Sequence, residues 1–270
     1  MPDTTPLASQ KSEDAPPSGG GWRPDLNVLR ARLDGIDDKI HDLLIERARV
    51  VEGVARSGKT AAFRPGREAS ILRRLLARHQ GKLPAQTLVR MWREMLAGTT
   101  AMQTPISVAI VRSENQIAEI AREHFGFLTP LDEYASIEAA LNAVREGRNT
   151  VAVLAFPDQS QPWWPGLTNL TPQLHIVARL PFWSGRPEGV PSADALVIAT
   201  TPPDASGADR SFLAHPSGPD DSHLEASGLV RIARHGAITE VQDLVAQGDP
   251  RLPAETIVLG GYAIPVGTSL

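Results

Sequence analysis

The chain has 270 residues, with 27 Lys plus Arg against 31 Asp plus Glu, 41% hydrophobic residues, 5% aromatic residues and no cysteine. A length of that order predicts two compact units or three small ones; the missing cysteine excludes a disulfide scaffold, a thiolate zinc site and a cysteine nucleophile. No two of the seven histidines lie three to five residues apart and no run of 18 apolar residues occurs, so neither a His–His metal clamp nor a membrane span is expected.

The N-terminal stretch MPDTTPLASQKSEDAPPSGGGW has neither the basic start nor the apolar core of a signal peptide, and the expected location is cytoplasmic. Residues 1–22 have almost nothing to bury and are expected to be a disordered tail. From Asp25 the residues Leu26, Leu29, Leu33, Ile36, Ile40, Leu43, Val50 and Val54 alternate at three and four, which predicts a helix over about 25–57. Such a helix would be on the order of 50 Å long. Its narrow apolar stripe must pack along other helices, from this chain or from a second copy. The one gap in the stripe is filled by Arg47.

A second helix is predicted from Arg67 to about Gly81. Pro84 opens a third, with Leu88, Trp92, Met95, Thr99 and Met102 on one face. From Ile106 the period changes. Strands are expected at 106–111, 150–156, 174–180, 195–200, 229–234 and 256–264, and helices at 114–124, 136–146 and 239–247. Pro- and Gly-rich stretches at 157–172, 184–193 and 202–220 are expected to be loops or linkers. The predicted fold class is therefore multidomain, α plus α/β: a three-helix unit at 23–104, an α/β lobe at 105–183, a linker at 184–193, and an α+β unit at 194–270, with short mixed sheets. Within the loops, Trp163-Trp164 reads either as an exposed patch or as a lid on the core, packing being favoured because bulky aromatics are buried on average.

Charge is divided along the same boundary. Residues 23–104 hold 16 Lys/Arg and 9 Asp/Glu, a net +7, while the remainder is −11. Within the helical unit, polar groups sit where a core would want leucine: Arg47 in the first seam, Glu68 before Ile71 and Leu72, Thr99 on the third stripe and Gln103 one turn on. A buried unpaired arginine or glutamate costs several kcal/mol, so each needs partners. Arg47 and Glu68 either pair with each other or with another helix, or converge with the hydroxyl and amide on an anionic ligand.

Two other motifs lack the context that would give them a function. Gly53-Val54-Ala55-Arg56-Ser57-Gly58-Lys59-Thr60 fits the P-loop pattern GxxxxGK[ST], but an amphipathic helix leads in and Pro65 follows, so the strand–loop–helix context that gives the pattern physical content is missing. The basic run Arg73-Arg74…Arg78 lacks aromatic interleaving and reads as a solvated face, with no nucleic-acid partner.

Asp25 to Gln103 resembles the all-helical chorismate mutase family. The resemblance is carried by Leu29-Arg30 with Ile36-Asp37, by Leu43-Leu44-Ile45-Glu46-Arg47, by Arg64-Pro65-Gly66-Arg67-Glu68 and by Trp92-Arg93-Glu94-Met95 through Gln103. It implies an intertwined homodimer that rearranges the dicarboxylate chorismate to prephenate with no cofactor, metal or covalent intermediate. Such chemistry asks for conformational confinement and charge complementarity. On this resemblance Arg47 holds one substrate carboxylate and Arg30 reaches in from the partner chain, as forked guanidinium groups suit. Glu68 contacts the substrate hydroxyl, Gln103 faces the ether oxygen, and Thr99 stands where the family has a small hydroxyl residue. The family's lysine for that ether oxygen falls on Gly58 here, and Lys59 follows one place later. One residue is about 100° on a helix, so Lys59 reaches the site only if the helix unwinds at Gly58. Arg64 stands where some members carry an acid, leaving Glu68 that role alone.

The rest of the chain resembles, faintly, a prephenate dehydratase lobe through Ala140-Leu141-Asn142-Ala143-Val144-Arg145-Glu146-Gly147 and Leu174-His175-Ile176-Val177-Ala178. It resembles an ACT-like module through Val258-Leu259-Gly260-Gly261-Tyr262. No Thr-Arg-Phe triplet occurs, so no dehydratase activity is expected. The alternative to an enzyme is a catalytically weakened homologue that senses chorismate, prephenate or an aromatic amino acid.

Overall fold

The computed structural model describes residues 25–56, 63–112, 114–157, 162–215 and 228–267. The chain divides into two units, Met1–Val50 and Val51–Leu270. The expected tail at 1–22 and Lys59 lie outside the described residues.

Helix α1 (Leu26–Arg56) starts where Asp25 caps it, its side chain accepting from the Asn27 N–H at 2.8 Å. No residue of α1 is buried, and the expected stripe, from Leu29 and Leu33 through Ile36, Ile40 and Leu43 to Val50, stays exposed along it.

The second unit holds the remaining helices and the sheet. Helix α2 (Pro65–Arg78) begins with proline at its first turn, where the missing N–H costs nothing. It buries Ala69 and Leu72. Helix α3 (Ala85–Ala101) buries Val89, Arg93, Leu96 and Thr100. That face is one residue, about 100°, away from the predicted stripe: Leu88, Trp92, Met95 and Thr99 are half-buried and Met102 is exposed. The rotation follows from Arg93, whose charge is buried because α2 supplies a partner.

Strands β1 (Val108–Val111), β2 (Leu131–Tyr134) and β3 (Val151–Ala155) are joined by α4 (Asn115–Phe125) and α5 (Ile137–Arg145). β1 pairs parallel with both β2 and β3. Its alternate side chains face opposite layers: Val108 and Ile110 pack with Ile117, Ile120 and Phe125 of α4, and Ala109 with Leu141 and Val144 of α5. Ser136 caps α5 by accepting from the Ala139 N–H.

The sheet continues through β4 (His175–Leu180), β5 (Ala195–Ala199), β6 (Asp209–Ala214), β7 (Arg231–His235), β8 (Ile238–Gln242) and β9 (Ile257–Ala263). Its order is β2-β1-β3-β5-β4-β9-β6-β8-β7. The strands expected in two separate short sheets thus form one nine-stranded mixed sheet. β5 lies between β3 and β4, and β9 runs parallel to β4. Gly260 makes that last pairing close, since a Cβ there would stand 2.2 Å from the Ile176 carbonyl oxygen. The stretch expected to be a free linker is anchored: Arg186 donates to both oxygens of Glu123, at 2.6 and 2.8 Å, and to the Pro191 carbonyl.

Three element assignments change. The helix expected at 239–247 is instead β8, because antiparallel pairing with both β6 and β7 buries Ile238, Thr239, Glu240 and Val241 on both faces of the strand. The loop expected at 202–220 contains β6, and β2 adds an edge strand. Trp163 and Trp164 pack against the core, and the Trp163 indole donates to the Ala155 carbonyl at 3.1 Å. Helices α2 and α3 pack on the sheet region: Ala69, Leu72 and Val89 share a cluster with Phe182 and Ala263.

Candidate functional site

The densest charge inside the α2–α3 pair is the ion pair Glu68–Arg93. Arg93 Nη1 donates to Glu68 Oε2 at 2.7 Å, with the two side chains 4% and 13% exposed. The guanidinium also lies over the Phe182 ring, 4.5 Å from its centroid. Burial pulls Arg93 below its ordinary pKa, and the charge and hydrogen bond of Glu68 oppose that pull. Arg93 Nε has no hydrogen-bond partner among the described residues. His124 of α4 lies on the same side. Burial first, and the Arg93 charge second, hold its imidazole well below its ordinary pKa, and neither ring nitrogen has a hydrogen-bond partner among the described residues.

Glu68, Thr100, His124, Phe63 and Thr129 line a cavity of about 20 Å³. That is room for about one water molecule. Thr99 and Gln103 are not among its lining residues. They form their own pair one turn apart, where Thr99 Oγ1 donates to the Met95 carbonyl at 2.9 Å and Gln103 Nε2 to the Thr99 carbonyl at 3.4 Å. Arg30 is exposed and Arg47 half-buried on α1. Of the predicted residues in the second unit, then, Thr99 and Gln103 meet, while Glu68 meets Arg93 and His124. Neither of those two was singled out from the sequence. Arg93 had a visible signal, because Val89, Arg93, Leu96 and Thr100 repeat at four, three and four as regularly as the stripe beside them.

Larger spaces lie among the described residues of the sheet region, two of them beside strand ends. A cleft of about 820 Å³ opens at the carboxyl ends of β1 and β2, lined by Val111, Glu114, Ile137, Leu141 and Trp163. Open α/β sheets place ligand crevices outside the carboxyl ends of their strands. Burial raises the Glu114 carboxyl there. The second, about 300 Å³, is lined by Arg179, Arg186, Arg210, Asp194 and Tyr262. Its three guanidinium groups are spent on protein carboxylates: Arg179 on Asp194 at 3.0 Å, Arg210 on Glu240 at 2.9 Å and Arg186 on Glu123. Buried Glu240 also accepts from the Tyr262 hydroxyl at 2.5 Å, and burial together with that carboxylate pushes Tyr262 up to about 12. No group of three or more His, Asp or Glu placed to hold a metal occurs among the described residues, and none of their helices is long and apolar enough to cross a membrane.

The architecture defines a class: an N-terminal helical segment with a buried Arg–Glu pair, joined to a mixed α/β sheet. Residues 29–104 match the family model for chorismate mutase type II. Three curated relatives carry the description bifunctional chorismate mutase/prephenate dehydratase. The protein of Stutzerimonas stutzeri is 30% identical over 146 residues, 50% of this chain and 40% of that protein. That of Pseudomonas aeruginosa is 29% identical over 145 residues, with the same coverage. That of Neisseria gonorrhoeae is 32% identical over 99 residues, 36% of this chain and 27% of that protein. The chain thus spans about 40% of the length of the first two relatives, and an alignment of 146 residues reaches beyond the segment 29–104. Among solved structures, prephenate dehydratase from Streptococcus mutans aligns with 58% of this chain and 98% of its own, at 12% identity and a TM-score of 0.37. A structure described as GqqA, a novel type of quorum quenching acylases, covers 58% and 94%, at 14% identity and a TM-score of 0.39.

Proposed function

We propose that this protein is a chorismate mutase, converting chorismate to prephenate in aromatic amino acid biosynthesis. The observation that carries the reading is the family match over residues 29–104, a segment that contains Arg30, Arg47, Lys59, Glu68, Thr99 and Gln103. The rearrangement is intramolecular, so the protein has to hold the substrate in its reactive conformer and stabilise the charge that develops as the C–O bond breaks. Arg30 and Arg47 bind the two carboxylates. Glu68 takes the substrate hydroxyl, Thr99 adds a small hydroxyl to the substrate site, and Gln103 and Lys59 donate to the ether oxygen. No cofactor takes part.

The active form on this reading is a homodimer built through α1. Support comes from the apolar face of that helix, where Leu33, Ile36, Ile40, Leu43 and Val50 are all exposed. Burying one such side chain contributes roughly 1.5–3 kcal/mol, and a second copy of the same helix offers a matching stripe. The place of action is the cytoplasm, with no nucleic-acid or membrane partner.

The test follows chorismate absorbance with the purified full chain, alongside light scattering for mass. Turnover by a dimer, lost in Arg47→Ala and reduced in Ile40→Glu as the dimer dissociates, is the expected outcome. No turnover by the unaltered protein, or full turnover in Arg47→Ala, refutes it. A second reading is favoured by the small space at Glu68, about 20 Å³: a weakened homologue that binds chorismate, prephenate or an aromatic amino acid without turning it over. Calorimetric binding of chorismate with no loss of its absorbance would identify that case.

A further inference from the structure

Every side chain assigned a role above lies within residues 29–104, yet the contacts that fix Glu68 reach far outside that segment. Glu68 is held through one carboxylate oxygen by Arg93, at 2.7 Å. Arg93 is in turn held by stacking on Phe182, the residue that follows β4 and Pro181. Phe182 is fixed in the backbone ladder, since its carbonyl accepts from the Val266 N–H at 2.8 Å and the next turn returns a bond from Ser184 N–H to the Val266 carbonyl at 2.9 Å.

The helix that carries Glu68 is gripped separately. Asp204 accepts from the Gly66 N–H at 2.8 Å and the Arg67 N–H at 3.1 Å, satisfying two of the unpaired donors at the start of α2 and placing a negative charge at the positive end of its dipole. About two turns into the helix, Arg73 donates to the Ile264 carbonyl at 2.7 Å, the Ala208 carbonyl at 3.0 Å and the Ser206 hydroxyl at 2.8 Å. The small cluster between α2 and α3, Ala69, Leu72 and Val89, is completed by Phe182 and Ala263 from the sheet. Three anchors outside the helical segment, Phe182, Asp204 and Ile264, thus help to place Glu68.

We propose that Arg93 is a positioning residue for Glu68 and that the sheet region, through Phe182 and Asp204, is an integral part of the mutase site rather than an appendage to it. The inference rests on the function proposed above. A displacement of about 1 Å at a group that touches substrate costs on the order of 100-fold, so slackening either anchor is expected to lower activity while the fold remains.

The experiment measures kcat and KM for chorismate in the full chain, with a thermal melt for each variant, for the unaltered protein, Arg93→Lys, Arg93→Met and Phe182→Leu. Arg93→Met is expected to lose about 10- to 100-fold in kcat/KM, Arg93→Lys to recover part of that loss by restoring the cation, and Phe182→Leu to fall between them at a temperature where it is folded. The pH profile separates positioning from general weakening. Glu68 is faced by Arg93 on α3, which Glu123 also acts on, and by His124 on α4; the other lining groups, Phe63, Thr100 and Thr129, are neutral. With methionine at position 93 the carboxylate loses the cation that favours its charged form, and the acidic limb of kcat/KM is expected to move to higher pH, which a merely looser fold would not produce. If Arg93→Met does not fold, Arg93→Lys and Phe182→Leu decide. An inactive unaltered protein removes the mutase reading itself. An active one whose folded Arg93 and Phe182 variants keep its kcat/KM and pH profile overturns this inference alone.

Discussion

Replacing Arg93 by methionine removes one partner of a buried ion pair and keeps an unbranched apolar stem in its place. The Glu68 carboxylate is left 13% exposed without its cation. Breaking a buried pair from one side typically costs about 3–5 kcal/mol, because the remaining charge stays desolvated. Loss of the contact with Phe182 adds about 1–2 kcal/mol. At roughly 2–4 °C per kcal/mol for a unit of this size, the melting temperature should fall by roughly 8–28 °C. Urea unfolding of Glu68→Gln, Arg93→Met and the double variant forms a cycle that isolates the pair. The double variant should be more stable than the sum of the single losses predicts, by at least about 2 kcal/mol, since a neutral amide facing methionine leaves no stranded charge. Additive losses, or an Arg93→Met cost below about 1 kcal/mol, would refute a coupled, buried pair.

Three further outcomes test other parts of the structure. Gly66→Ala would place a Cβ 2.1 Å from the Asp204 carbonyl oxygen; the clash should displace Asp204 from the start of α2 and lower stability by about 1–3 kcal/mol, seen as a lower urea midpoint. His124, depressed by burial and by Arg93, stays neutral in the fold while the unfolded chain takes up a proton below its ordinary value of 6.5. Its contribution to stability is therefore present above pH 6.5 and lost as pH falls below it, and His124→Phe should flatten the stability–pH slope there by up to about 1.4 kcal/mol per pH unit, leaving the smaller contribution of His175. Tyr262→Phe removes a donor from buried Glu240 and should cost about 1–3 kcal/mol in chemical unfolding.

The three N-terminal helices are legible in the sequence because their signals are local: Asp25 at the start of the first, Pro84 opening the third, and apolar spacings of three and four; Pro65, read as part of the connection, instead begins α2. The orientation of α3 is not, since Leu88–Trp92–Met95 and Val89–Arg93–Leu96 are equally periodic and a partner on another helix decides between them. The same holds for β8. Val241, Leu244 and Val245 have helical spacing, and the strand is selected only by β6 and β7 on either side, with Arg210 and Tyr262 satisfying Glu240. β6 was hidden among proline and aspartate, and its pairing with β8 and β9 is entirely non-local. At the candidate site the residue types were legible. The partner that holds Glu68 was not, because it depends on Phe182, more than a hundred residues on.

The position of β9 has a consequence for synthesis. β9, the last of the described strands, occupies an interior place in the sheet, between β4 and β6, and the Arg73 bond to Ile264 spans 191 residues. A ribosome must therefore have made the chain through Ile264 before β4 and β6 gain their shared neighbour and α2 gains its anchor there. Contacts at such separation slow folding and prolong the exposure of unpaired strand edges. Truncation that removes β9 would open the middle of the sheet, whereas loss of the edge strand β7 would leave the remaining strand order contiguous.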